Sequence, residues 1–110
     1  MDGVERGPDV EAEVTFLSTE AGGRMGPVQP GYRPAHRVLP DYLTTGVHTY
    51  PERDWVSPGE TVRACIRFIT PEAYPNCLRV GQTVEIQEGS HVVGHATIVR
   101  IINKALEAAG

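Results

Sequence analysis

The stretch Thr61-Val62-Arg63-Ala64-Cys65-Ile66-Arg67-Phe68-Ile69 decides the fold class. Val62, Ala64, Ile66 and Phe68 recur at every second position, and Arg63, Cys65 and Arg67 occupy the places between them. Successive side chains of a strand point to opposite faces, so this period of two predicts a strand with one face in a core and the other in water. Cys65 falls on the polar face, in mid-strand. Nothing around it in the sequence lowers its pKa, so a packing role is expected of it rather than a nucleophilic one.

The same signature recurs on both sides. Upstream, Ala12, Val14 and Phe16 alternate with Glu11, Glu13 and Thr15. Ser18 to Pro40 contains four Gly and four Pro and reads as a long loop with a short strand over Arg33–Val38. Loops of this length in small domains are commonly functional. Thr45–Tyr50 reads as a strand and Pro51–Gly59 as a turn region. Downstream, Thr70–Asn76 holds two prolines and predicts a loop. Thr83–Gln87 and Ser90–Ile102 flank the turn pair Glu88-Gly89 and predict a hairpin. Residues 1–10 are polar and predict a flexible lead. Residues 104–110 predict a tail with a frayed helical turn over Lys104–Ala109. Five to seven strands without a substantial helix predict an all-β domain, an antiparallel sandwich or a small barrel.

Composition narrows the function classes. The chain has 110 residues, enough for one domain with a core of its own. Neither G-x-x-x-x-G-K-[ST] nor G-x-G-x-x-G occurs, so no nucleotide loop is present. The net charge is −4, unlike the basic balance of a general nucleic-acid binder. The charge is unevenly spread: residues 1–20 hold six acids and one Arg, whereas residues 21–40 hold Arg24, Arg33 and Arg37 and no acid. The two cysteines, Cys65 and Cys77, are too few for a four-cysteine zinc site. His91 and His95 lie four apart, which on a strand separates them by roughly 13 Å, too far to share a metal. A cluster would have to draw His36 or His48 from neighbouring strands. No metal and no cofactor are expected. The start of the chain has no signal-peptide pattern, and no apolar run approaches the roughly 20 residues of a membrane helix. A cytoplasmic location with reduced thiols follows as the expectation.

The loop and the last hairpin together carry a resemblance. Glu13-Val14-Thr15-Phe16-Leu17-Ser18 is followed by Gly22-Gly23-Arg24, Pro27 and Gly31-Tyr32-Arg33-Pro34. Thr45-Gly46, Pro58-Gly59, Pro71, Leu78-Arg79, Glu88-Gly89 and Val93-Gly94 then come in order. This series resembles the C-terminal β-barrel domain of bacterial elongation factor Tu over about residues 11–103. The resemblance implies a six-stranded antiparallel barrel standing free of the GTPase domain and second barrel of that family. It also implies a surface that, in the family, helps to hold the T-stem of aminoacyl-tRNA and contacts proteins. Arg24 matches an RNA-backbone contact of the family, and Glu88 and Gly89 match the turn beside the RNA. The position after Arg24 is Met25 where the family has His, and Gln87 stands where the family has Arg. Losing such charge-assisted contacts costs about 1–3 kcal/mol of RNA binding.

The resulting expectation is a binding module without catalysis. A protein partner would dock on the Gly-Gly-Arg loop and the turn that carries Trp55, because large aromatics are enriched at interface centres. The alternative is weak binding of tRNA or another RNA backbone through Arg24, Arg33, Arg37 and Arg79, with Glu88 and Gly89 alongside. Arg24 is divided evenly between an anion contact and a loop-pinning role. Arg33 is expected to pin its loop to backbone carbonyls, and Tyr32 to anchor it.

Overall fold

A computed structural model of the chain describes residues 7–109. Six strands form: β1 (Val10–Phe16), β2 (Ala35–Leu39), β3 (Tyr42–Thr49), β4 (Thr61–Phe68), β5 (Thr83–Glu88) and β6 (His91–Ile101). They close into an antiparallel barrel in the order β1-β4-β3-β2-β5-β6, with β6 pairing back onto β1. Closure leaves no long free sheet edge. Of the two architectures open to the strand pattern, the barrel is the one formed.

The interior is what the alternation demands. Val10, Ala12, Val14 and Phe16 of β1 join Val62, Ala64, Ile66 and Phe68 of β4 in the core, and all are at most 5 % exposed. Ile86, Ala96, Ile98 and Ile101 complete it from β5 and β6. The register shift between Ile86 and Gln87 leaves Val93 as an extra residue in β6, opposite no partner. This bulge breaks the alternation that would have put His91 and His95 on one face.

Both ends of the barrel domain extend further than the sequence pattern predicts. Residues 1–6 of the expected lead lie outside the described residues, but Asp9 and Val10 belong to the barrel. Asp9 is 1 % exposed. Its Oδ2 accepts from the Phe68 N–H at 2.8 Å, and its Oδ1 accepts from the Asn103 amide at 3.0 Å. Its backbone carbonyl also accepts from the N–H groups of Ile102 and Asn103. A polar residue at the start of a strand reads as linker; buried, it caps the exposed backbone of two other segments. At the other end, Lys104–Leu106 forms one turn of 3-10 helix, and Leu106 is fully buried. The Leu78 N–H donates to the Leu106 carbonyl, and the Ala108 N–H donates to the Leu78 carbonyl. The expected tail is therefore packed against the loop after Pro75 over its described part.

Two histidines occupy the core. His36 of β2 and His48 of β3 are each fully buried, with their Nε2 atoms 2.8 Å apart. Gly46 makes this possible: a Cβ there would come within 2.8 Å of the His36 ring and of Ile66 Cγ2. The partners assign the protons. The Thr44 carbonyl can only accept, so His36 carries its proton on Nδ1, 3.3 Å away. His36 Nε2 then accepts from His48 Nε2–H, and His48 Nδ1 accepts from the Tyr50 hydroxyl at 3.0 Å. Every polar atom of the pair is satisfied with both rings neutral. Among the described residues no buried side-chain nitrogen or oxygen lacks a partner.

Candidate functional site

The loop between β1 and β2 is folded back on the barrel by its own backbone. The Gly23 N–H donates to the Ser18 carbonyl, and the Thr19 hydroxyl donates to the Arg24 carbonyl at 2.6 Å. A Cβ on Gly23 would lie 2.2 Å from the Leu17 carbonyl oxygen, so only glycine permits this close return. Farther along, Val28 and Val56 exchange backbone hydrogen bonds, with N···O distances of 2.9 and 3.0 Å. This single bridge ties the long loop to the Trp55 turn.

The Trp55 turn has its own brace. Arg53 donates to Glu60 at 2.6 Å, and the Ser57 N–H donates to the same carboxylate at 2.9 Å. The Ser57 N–H, with Arg53 beside it, holds the Glu60 carboxyl below its ordinary pKa. Trp55 is left 55 % exposed at the apex, and Met25 on the neighbouring loop is 87 % exposed.

Between these segments lies an open groove of about 410 Å³, lined among others by Arg24, Pro27, Gln29, Tyr32 and Trp55. Its charged wall is a compact cluster. Arg24 Nε donates to Glu88 Oε2 at 2.9 Å, and the Tyr32 hydroxyl donates to the same oxygen at 2.5 Å. The Arg24 guanidinium stands 5.3 Å from the Tyr32 ring centroid and also donates to the Gly26 carbonyl at 3.2 Å. Burial, with the Glu88 carboxylate beside it, raises the Tyr32 phenol well above its ordinary pKa. The Tyr32 ring also packs on Phe16 and edge-on to His48. Tyr32 is thus the loop anchor, as expected from the sequence. Arg24 does pin its loop, yet it also remains 26 % exposed on the groove wall.

The structure brings together Arg24, Trp55 and Glu88 from three distant stretches of chain. Gly89 follows Glu88 in the β5–β6 turn with φ +59°, a conformation that L side chains rarely adopt. The other two predicted residues lie elsewhere. Arg37 bonds the Pro40 carbonyl and faces Glu85 at 3.5 Å across the β2–β5 seam. Arg33 does not pin its loop: it is exposed, forms no side-chain hydrogen bond or ion pair among the described residues, and lines a separate basin on the outer face of β3 and β4. The loop is instead held by backbone bonds, Gly31 N–H to the His48 carbonyl and His48 N–H to the Tyr32 carbonyl. Proline on one side and glycine on the other fix the chain there, so the arginine head is not needed for it.

Other candidates resolve differently. Tyr50 and Tyr74 are core residues, 4 % and 3 % exposed. Cys65 and Cys77 are both free and half-buried, and burial raises both thiols above their ordinary pKa. Among the described residues, no group of three or more His, Cys, Asp or Glu side chains is placed to hold a metal, and no helix is long and apolar enough to cross a membrane. Sequence reasoning missed the His36–His48 contact and the role of Asp9. The first had one available signal: both histidines sit on alternating strands beside apolar neighbours. No family model matches the chain.

Proposed function

We propose that this chain is a binding module without catalysis, related to the C-terminal barrel of elongation factor Tu, and that it docks a protein partner in the groove between Trp55 and Arg24. The observation that carries this reading is the neutralisation of Arg24. Its guanidinium faces the Glu88 carboxylate at 2.9 Å, in a groove that the largely exposed Trp55 also lines. A phosphate approaching Arg24 must displace or tolerate that carboxylate, whereas a protein surface can engage both charges and bury the indole. Arg37 is likewise matched with Glu85. These pairs weigh against an RNA-backbone footprint, which needs uncompensated cations.

The test is photo-crosslinking from Met25, which follows the groove residue Arg24 and is exposed, in cells of the source organism. The expected result is a discrete protein adduct that survives physiological salt and is lost on Trp55→Ala. A central aromatic anchor contributes about 2 kcal/mol or more, roughly a thirtyfold loss of affinity. Labelled aminoacyl-tRNA titrated against the purified chain supplies the opposing result. Salt-sensitive micromolar binding that falls on Arg24→Ala would overturn the protein-partner reading in favour of the translation-linked RNA alternative.

A further inference from the structure

We infer that the basin on the outer face of β3 and β4 is a binding site for a small phosphate-bearing molecule, with Arg33 as its principal ligand. The basin measures about 470 Å³ and is lined by Arg33, Arg67, Cys65, Thr49, Val47 and the Gly7-Pro8 segment. Its construction follows from the barrel register. Val47 pairs with Arg67 and Thr49 with Cys65, so these four outward side chains form one square on the sheet. Val47, Thr49 and Cys65 are short, and the hollow lies over them. Arg33 enters from the loop that Gly31 and Tyr32 bond to β3, which presents its guanidinium over the sheet on a tethered backbone.

The charge balance favours an anion. The carboxylate nearest the hollow on the neighbouring strand is that of Glu11, which pairs with Cys65 in the register. Both of its oxygens face other arginines, Arg63 at 3.8 Å and Arg100 at 3.5 Å. Arg33 has no such counter-charge among the described residues. Arg67 already makes an interaction within the chain, so the open fork in the hollow is that of Arg33. A planar guanidinium matches two oxygens of a tetrahedral oxyanion, and the Thr49 hydroxyl, hydrogen-bonded to the Cys65 thiol, lies on the floor beneath it. A volume within the range of small-molecule sites leaves room for a substituent beyond the phosphate itself. The ligand class is therefore a phosphomonoester or inorganic phosphate, and the site is separate from the Trp55 groove.

Cys65 is a built-in reporter, because its thiol lies in the hollow, while Cys77 lies outside it. The experiment measures alkylation of each cysteine by mass spectrometry in the intact chain, at fixed pH and ionic strength. Chloride is compared with inorganic phosphate and with glycerol phosphate. Phosphate or the monoester is expected to slow Cys65 alkylation severalfold and leave Cys77 unchanged, with the protection abolished in Arg33→Gln. Which of the two anions protects at lower concentration distinguishes free phosphate from an ester. Amide chemical shifts of Arg33, Thr49 and Arg67 provide a second readout, moving with phosphate and not with chloride. Equal Cys65 rates in all three salts, with unmoved amides, would overturn the proposal. So would protection that persists in Arg33→Gln.

Discussion

The buried imidazole pair makes the stability of this barrel depend on pH in a definite direction. Burial, opposed by the hydrogen bonds to the Thr44 and Pro34 carbonyls, pushes His36 down to about 4. Burial and then the neighbouring His36 push His48 well below its ordinary value. In the unfolded chain both titrate near 6.5. Above that value neither state takes up a proton, and the pair has no pH-dependent effect. Below it the unfolded chain is protonated and the folded one is not, so stability falls by about 1.4 kcal/mol per pH unit for each ring. The loss for His36 levels off near its folded pKa of about 4. At about pH 5 each ring has cost roughly 2 kcal/mol, about 4 kcal/mol together, against a total of about 5–15 kcal/mol for an ordinary domain. Urea unfolding from neutral to mildly acid pH measures this directly. The comparison is the triple variant His36→Leu, His48→Leu and Tyr50→Phe, which removes both rings and the hydroxyl that would lose its acceptor. The wild type is expected to lose about 4 kcal/mol more than the variant between pH values of about 7 and 5. If the two curves run parallel, the pair is not held neutral by the fold. Carbon chemical shifts of the two rings in the folded wild type test the same point without a variant, because titration near 6.5 would refute the reasoning.

Further expectations test the groove and the ends of the barrel. Glu88→Gln removes the carboxylate from Arg24, so binding to a polyanion such as tRNA should strengthen and become steeper in salt; an unchanged salt slope would mean that Glu88 does not mask Arg24. Asp9→Ala leaves the buried Phe68 N–H and the Asn103 amide without their acceptor. It should destabilise by about 1–3 kcal/mol in urea melts, and a change within a few tenths would show that Asp9 is not the clamp described. Gly46→Ala places a methyl against the His36 ring and Ile66. A loss of about 1–3 kcal/mol is expected, and a neutral result would mean that the two strands can separate there at no cost.

The residue order alone determined the strand content. Alternation in Thr61–Ile69 and Glu11–Phe16 is a local property, set by the pleat of an extended chain, and it placed Ala12, Val14 and Phe16 of β1 and the core residues of β4 on the correct face, with Val10 falling outside it. The turn pair Glu88-Gly89 was legible for the same reason, since a tight turn depends on the conformational range of its own residues. The choice between sandwich and barrel was not local. It depended on β6 pairing back onto β1 and on bulges that bend the strands, which are register facts between distant segments. The candidate site divides along the same line. Arg24 and Glu88 were legible through the family resemblance and Trp55 as a large aromatic in a turn, but their meeting rests on the Val28–Val56 bridge and on one shared carboxylate. Arg33 showed the reverse: its motif suggested a structural clamp, and the folded loop satisfied itself through its backbone and left the guanidinium exposed. Asp9 was invisible to composition, and the histidine pair showed only through its place on alternating strands, because a polar residue written in sequence does not say which partner will meet it. Burial and partner are properties of packing, and packing set the protonation of His36 and His48, the masking of Arg24 and the opening of the Arg33 basin.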